Sequence, residues 1–470
     1  MRQTMTSNSA SSFPHHIFRE YDIRGIAGID IDEELAYRLG KAFAATLPKD
    51  DQRGVSVARD VRLSGELLQT AVMRGLTDAG IHVIDLGMVP TPLAYYSVFH
   101  LNTAGCIMVT ASHNPSRDNG FKLMQGQKSL HGKDIQQLKK LIQQDLKPSS
   151  IHGTIKPHKI QTDYEDFVVS DCPLPSQRSR PLKVVIDAGN GPSGIIAAPL
   201  YRRMGCEVTE LYCQPDGTFP NHHPDPTIEE NMHDLAQKVR EMDSDLGIAF
   251  DGDGDRIGIV DEHGNMIWGD MLLLLLARQL LKEHPNATII SEIKSSQHLY
   301  SGIHEAGGKS IMWRTGHSLI KAKMKETGAL LAGEMSGHIF FADRFYGFDD
   351  AVYAGARVMQ ILAESHQPIS AFFHDVPHSE ITPEIRISCP DKYKFTCVQD
   401  AIKHFSTLGY KIIDIDGMRI EFGDAWGLLR ASNTQASLTL RFEAPNKARL
   451  NEIQTMVEDW LRAYIEAKPL

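Results

Sequence analysis

Asp251-Gly252-Asp253-Gly254-Asp255-Arg256 carries the most specific chemistry in the chain. Three carboxylates at alternate positions repel one another unless a cation sits among them, and the intervening glycines let the backbone fold tightly enough for the oxygens to converge. Hard oxygen donors suit Mg²⁺ or Ca²⁺, and few carboxylates combined with a substrate phosphate is the Mg²⁺ pattern. An EF-hand calcium loop is the competing reading. Glu262 falls where the bidentate glutamate would be, but the sixth position holds Arg256 rather than glycine, and strands rather than helices flank the loop. Arg256 offers a fork of donors for phosphoryl oxygens that lysine cannot copy.

The second reactive segment is Thr110-Ala111-Ser112-His113-Asn114-Pro115. Asn114-Pro115 and Asn119-Gly120 are turn signals, so Ser112 sits on a constrained loop beyond a strand's carboxyl end, where α/β sheets bind ligands. A serine exchanges phosphoryl groups only with proton help or a charged environment. His113 could supply the first, and Lys122 could neutralise an anion. Taken alone, the segment reads equally as a solvated turn, and it is not the G-x-S-x-G of an α/β-hydrolase.

Three other motifs are set aside. Gly189-Asn190-Gly191-Pro192-Ser193-Gly194 matches G-x-G-x-x-G, but Pro192 lies inside the turn and the segment does not open the fold. Gly307-Gly308-Lys309-Ser310 resembles a phosphate loop, but the first glycine is displaced to Gly302. His222-His223 lacks further spaced ligands for zinc.

Three successive stretches alternate short apolar strands with helical patterns, the signature of α/β units on largely parallel sheets. The first has strands at 54–59, 82–86 and 105–110, with a helix at 64–79. The second has strands at 182–187 and 207–212, a third ending at Phe250, and a helix after Gly194. The third has strands at 288–292, 310–313 and 329–332, with a helix at 318–326, and Met271 to Leu281 reads as one buried helix. From about Pro377 the order changes. Strands at 384–388, 411–415, 418–422 and 437–443 accompany helices at 398–406 and 447–463, an α+β pattern. Segments 147–159 and 368–377, rich in breakers, read as linkers.

The chain is long enough for several domains at 470 residues, and 42% hydrophobic with 23% charged residues is ordinary for a globular protein. A net charge of -10 argues against a general nucleic-acid partner. The six cysteines form no C-x-x-C pair, which points to neither a disulfide framework nor zinc and to a reduced, cytoplasmic setting. Met1 to Pro14 lacks an apolar core and reads as a loose tail, not a secretory signal. The longest apolar run is too short for the ~20 residues of a membrane span.

Together these motifs resemble the α-D-phosphohexomutases, specifically the bacterial phosphomannomutase/phosphoglucomutase type. The resemblance runs from Phe18 to the C-terminal helix. It rests on Tyr21-Asp22-Ile23-Arg24-Gly25, the serine and aspartate loops, Gly333-Glu334-Met335-Ser336-Gly337-His338, and Arg430-Ala431-Ser432-Asn433-Thr434, five motifs in family order. It implies an α/β fold of three successive α/β domains with mixed, largely parallel sheets plus a C-terminal α+β domain around a central cleft, divided 1–160, 161–265, 266–376 and 377–470. It gives Ser112 the role of phosphorylated residue and Asp251, Asp253 and Asp255, with Ser112, the role of ligands to one Mg²⁺ per chain. Tyr21, Arg24, His113, Lys122, Arg256 and Lys294 would surround the reacting phosphoryl group, and His338 becomes a candidate general acid/base. Glu334 and Ser336 would hold the 3- and 4-hydroxyls, with further sugar contacts from Gly316, His317 and His338. Arg430, Ser432, Asn433 and Thr434 would grip the other phosphate; a proline common in relatives after that threonine is replaced by Gln435-Ala436. The implied activity interconverts hexose 1- and 6-phosphates of mannose and glucose through a 1,6-bisphosphate, with glucose 1,6-bisphosphate as activator. The implied enzyme is a cytoplasmic monomer with hexose phosphates as partners and no nucleic acid or membrane. Phosphoglucosamine mutase and metal-dependent sugar phosphatase are the alternatives.

Overall fold

The computed structural model describes residues 13–175, 180–432 and 436–467. Four sheets form in chain order among these residues. In the first, the strands Val55–Arg59, Val83–Met88 and Gly105–Val109 are parallel, and Asp118–Gln125 returns antiparallel beside Gly105–Val109. Buried on both faces, Gly105–Val109 is continuously apolar, as a central strand of a covered sheet requires. The second sheet pairs Lys183–Asp187 in parallel with Glu207–Leu211 and Leu246–Phe250. There Leu246–Phe250 turns back antiparallel into Ile257–Val260, and the aspartate loop is the turn of that hairpin. The third sheet has Thr288–Glu292 in parallel between Lys309–Trp313 and Leu331–Gly333, with Ile339–Phe341 antiparallel at its edge. The fourth is antiparallel, running Glu380–Ile381, Ser437–Ala444, Trp426–Ala431, Met418–Glu421 and Lys411–Ile413, with Ile385–Ser388 also paired to Ser437–Ala444. The architecture is three α/β units followed by an α+β unit.

Three expectations change, and the first is segment 368–377, which is not only a linker because it holds the 3-10 helix Ile369–Phe373 with Ile369 in the core. Segment 147–159 is not only a linker, because Ile155–Pro157 pairs in parallel with Val83–Met88. All three of its residues are exposed, so it lacks the alternation that marks a half-buried strand, and the edge position tolerates Pro157. The helix read at 398–406 starts earlier, at Asp391, behind the extended Pro390. The buried run Met271 to Leu281 does lie within one helix, Gly269–Glu283. The tail reading for Met1 to Pro14 falls almost wholly outside the described residues. Among the described residues, no helix is long and apolar enough to cross a membrane.

One continuous core joins the first three units. It contains Tyr95 and Tyr96 from helix Thr91–His100, Tyr164 and Tyr201 from the second unit, and Leu272, Phe345 and Tyr353 from the third. Phe345 stacks on Tyr353 at 4.2 Å between ring centroids. The fourth unit has its own core and meets the third through a small cluster of Ile293, Trp426 and Leu428.

Candidate active site

Loops at the strand ends of the first two sheets meet at Ser112. Its Oγ donates to Asp251 Oδ2 at 2.6 Å and lies 3.1 Å from His113 Nδ1. Ser112 is buried and holds a left-handed φ of 51°, a conformation that costs energy for a residue with a side chain and concentrates at functional sites. What holds it there is a residue the sequence reading missed. The buried guanidinium of Arg62 donates to the carbonyls of Ser112, Asn114, Pro115 and Asp118 at 2.6–2.8 Å. Its Nε pairs with Asp60 at 3.2 Å. Asp60 in turn accepts from Thr110 Oγ1, which accepts from Ser112 N–H. Asp60 and Arg62 follow the strand Val55–Arg59, and their reach across ~50 residues of chain leaves no local signal in sequence. Arg24 closes the other side of the loop, donating to Ala111 O and Asn114 Oδ1.

The aspartate loop is wound around Asp251. Oδ1 accepts from the N–H groups of Gly254, Asp255 and Arg256 at 2.9–3.2 Å. Gly252 allows the two loops to touch, since a Cβ there would lie 2.4 Å from the Ser112 carbonyl, and Gly254 takes a φ of +77°. Asp253 accepts from Thr91 Oγ1 at 2.5 Å and from Lys122 Nζ at 2.7 Å, and Lys122 also bonds Asp255. Burial and the charges of Asp253 and Asp255 push the Asp251 carboxyl up to about 8. Burial also opposes ionisation of Asp253, but the Lys122 ammonium outweighs it and holds that carboxyl low. His113 is held well below its ordinary value by burial and by Arg256, Arg24 and Lys122, so it is neutral.

The donor set fits a hard divalent cation. Asp251, Asp253 and Asp255 offer oxygens within 4.8 Å of one another. Asp253 Oδ1 and Asp255 Oδ1 are buried without a hydrogen-bond partner among the described residues, a state that costs free energy until something positive is coordinated.

The third unit adds two loops. Ile257 N–H donates to Gly337 O, which sets the 333–338 loop against the aspartate hairpin. His338 Nε2 accepts from Arg256 Nε at 3.1 Å. His338 Nδ1 lies 3.0 Å from Asp349, though off hydrogen-bond alignment, and 3.7 Å from Asp255. Burial opposes protonation of His338, but Asp255 and Asp349 outweigh it and raise its pKa. His317 stacks on His338 at 5.4 Å. Burial and Lys321 push His317 down to about 4. Glu334 Oε1 accepts from Gly316 N–H at 2.7 Å, and burial together with the nearby Glu292 carboxylate pushes Glu334 up to about 7. Ser336 is half-buried two residues on.

Lys294 and Tyr21 find different partners from those expected of a shell around Ser112. Lys294 Nζ pairs with Glu384 at 2.8 Å and lies 3.6 Å from Glu292. Tyr21 Oη donates to Thr315 O at 3.0 Å. Arg430 Nε donates to Asp416 at 2.8 Å, and the same Asp416 oxygen accepts from Thr315 N–H. Ser432 N–H bonds Ser437 O, while Asn433 and Thr434 lie outside the described residues. Six of the expected residues (Ser112, His113, Lys122, Asp251, Asp253 and Asp255) therefore form one contact group at the serine, with Arg24 and Arg256 at its margins. Tyr21, Lys294, Gly316, Glu334 and Arg430 form a second group where the third unit meets the first and fourth, and His338, stacked with His317, reaches from the third unit to Arg256.

Comparison with known proteins matches the chain in four successive segments. Residues 15–148, 162–264 and 268–379 match the models for phosphoglucomutase/phosphomannomutase alpha/beta/alpha domains I, II and III, and 384–460 match the C-terminal domain. A Pseudomonas putida phosphomannomutase/phosphoglucomutase is 44% identical over 94% of this chain and 95% of its own length. A phosphoglucomutase of Neisseria meningitidis is 44% identical over 96% and 97%. The crystal structure of a phosphoglucomutase/phosphomannomutase family protein from Burkholderia thailandensis superposes with a TM-score of 0.88 at 42% identity, covering 97% of this chain and 98% of that one.

Proposed function

The chain belongs to the phosphoglucomutase/phosphomannomutase family and is a hexose phosphate mutase; we propose that it serves both glucose and mannose phosphates through a phosphoserine at Ser112. The supporting observation is the meeting of Ser112 Oγ with Asp251 at 2.6 Å beside two buried carboxylate oxygens that lack partners.

Phospho-Ser112 gives its phosphoryl group to the free hydroxyl of a hexose monophosphate. The P–Oγ bond breaks as the bond to the sugar oxygen forms, the sugar hydroxyl loses its proton to a base, and the departing Ser112 Oγ takes up a proton. The resulting 1,6-bisphosphate turns over, and its other phosphoryl group returns to Ser112. Catalysis of this kind is mainly positioning and charge neutralisation. Asp251, Asp253 and Asp255 would hold one Mg²⁺, which when bound supplies positive charge to polarise the phosphoryl group. Arg24, Lys122 and Arg256 add fixed positive charge around the serine. His338, whose Nε2 accepts from Arg256, is the base proposed for the sugar hydroxyl. Arg430 and Ser432, with Asn433 and Thr434, take the phosphate that is not reacting. Glu334 and Ser336 hold the 3- and 4-hydroxyls, which do not report the configuration at C2, so both sugars are accepted. We further propose a cytoplasmic monomer activated by glucose 1,6-bisphosphate.

The test is intact mass together with a coupled assay. Wild type should carry a population with one added phosphoryl group, and Ser112→Ala should lose both this species and turnover, by about a thousandfold or more as for removal of other nucleophiles. Glucose 1-phosphate and mannose 1-phosphate should both turn over faster than glucosamine 1-phosphate, without matching release of free phosphate. A wild type that is never phosphorylated and ignores the bisphosphate would end the phosphoserine scheme.

A further inference from the structure

We propose that Glu292 is a positioning residue for sugar recognition, its buried carboxylate locking the Thr315–His317 segment to the 333–338 loop at one spacing. The proposal rests on the reading of those two loops as sugar contacts.

Glu292 ends the central strand Thr288–Glu292 of the third sheet and is fully buried. The strand carries it under the gap between the two loops, since its neighbours in the sheet are Lys309–Trp313, which leads into the first loop, and Leu331–Gly333, which leads into the second. One oxygen reaches each side. Oε1 accepts from Met335 N–H at 2.9 Å, and Oε2 accepts from Thr315 Oγ1 at 2.6 Å. A second tie spans the same gap above it, from Gly316 N–H to Glu334 Oε1. The charge is partly balanced by Lys294, 3.6 Å away.

Thr315 is the point where these forces meet. Its hydroxyl goes to Glu292 in the third unit, its N–H to Asp416 in the fourth, and its carbonyl accepts from Tyr21 in the first. Only glycine fits at the next position, Gly316. Its φ is +130°, and a Cβ there would lie 2.5 Å from Tyr21 Oη. With Thr315 fixed on three sides, the distance between Gly316 and Glu334 is set by Glu292 from below. Neither Glu292 nor Thr315 stands among the residues expected to touch the sugar. Their effect on the ligand passes through the loops they hold.

The mutase cycle gives this spacing a particular consequence. The sugar is held twice, in opposite orientations, and in each the same pair of hydroxyls must meet the same pair of loops. An error in the spacing is therefore felt in both half-reactions and for both sugars. A contribution to folding alone would lower stability and leave the affinity of the folded enzyme unchanged.

Calorimetric affinity for glucose 6-phosphate and steady-state kinetics on glucose and mannose 1-phosphates, in the full-length chain, test this. Thr315→Val keeps the side-chain shape and removes the donor, and should weaken affinity and raise KM for both sugars by about tenfold. Thr315→Ser keeps the hydroxyl and should stay within about twofold of wild type. Glu292→Gln replaces one acceptor oxygen by an N–H₂ facing a donor and should do worse than Thr315→Val. Valine and serine variants of equal affinity, or a folded Thr315→Val or Glu292→Gln within about twofold of wild type, would overturn the proposal. Should Glu292→Gln fail to fold, the Thr315 pair decides. If wild type binds the sugar phosphate without isomerising it, the mutase scheme falls and the binding comparison still judges Glu292. If wild type does not bind it, the loop reading and this proposal fall together.

Discussion

At the scale of single residues, the proton on Asp251 is the quantity that links burial to metal chemistry. Its carboxyl is pushed from 3.8 to about 8 by burial and by two neighbouring carboxylates. Over the pH range between those values the unfolded chain has released a proton that the folded chain retains. The stability arising from this raised pKa is therefore fully present below the unfolded value and lost as pH rises through about 8. A divalent cation needs the ionised form, so its binding expels that proton. We expect Mg²⁺ affinity of the unphosphorylated enzyme to rise by about tenfold per pH unit below pH 8 and then level off. Calorimetry in buffers of different ionisation enthalpy should count close to one proton released near neutrality. An affinity indifferent to pH, with no proton released, would contradict the assignment. The three aspartates were readable in the sequence because they alternate within one short segment and the glycines between them permit little else. Thr91, Asp60, Arg62 and Glu292 were not, because each acts on a loop distant from it in the chain and nothing in its local pattern separates it from ordinary polar residues.

At the scale of elements, the serine loop's own turn bonds are backed by one guanidinium that spans it. Arg62 supplies donors to four carbonyls of a segment that contains a left-handed serine. Removing it takes the side-chain donor from those carbonyls and leaves the buried Asp60 charge without its counter-ion, which for a broken buried pair costs about 3–5 kcal/mol. Arg62→Ala should therefore lose about that much stability in urea titration and transfer phosphoryl groups far more slowly. Arg62→Lys should rescue little of either, because an ammonium on a flexible stem cannot present the same planar fork. Equal stability of wild type and Arg62→Ala would show that the loop holds itself. Gly252→Ala probes the facing element, since the added Cβ meets the Ser112 carbonyl at 2.4 Å. It should push the two loops apart and weaken Mg²⁺ binding and phosphoryl transfer together. The alternation of strands and helices was legible because buried parallel strands are continuous apolar runs. The edge strand Ile155–Pro157 was not, because an exposed edge selects neither for apolar residues nor against proline.

At the scale of the whole molecule, the distribution of core determines which parts can move. The first three units share one apolar cluster, so separating them would expose large aromatic side chains. The fourth is attached differently. Arg419 donates to the carbonyls of Ile293 and Ser295, Arg441 to that of Lys294, and Ser296 Oγ to Glu443, around a cluster of only three buried apolar residues. Interfaces of this polar kind permit domain motion, and water can replace many of their bonds. A hexose bisphosphate that meets Ser112 at one end and Arg430 at the other would bridge this junction, paying for closure with its distal phosphate. Hydrogen exchange read by mass spectrometry should therefore slow on adding glucose 1,6-bisphosphate in peptides covering 411–431 and 293–297. Peptides covering 94–100 of helix Thr91–His100, inside the shared core, should be unaffected and serve as the reference. In Arg419→Ala the same peptides should exchange faster without ligand, because the carbonyls of the 293–295 turn lose their donor. Ligand-free and ligand-bound traces that coincide in 411–431, while the ligand demonstrably turns over, would mean that the fourth unit is fixed and the phosphate loop is preformed.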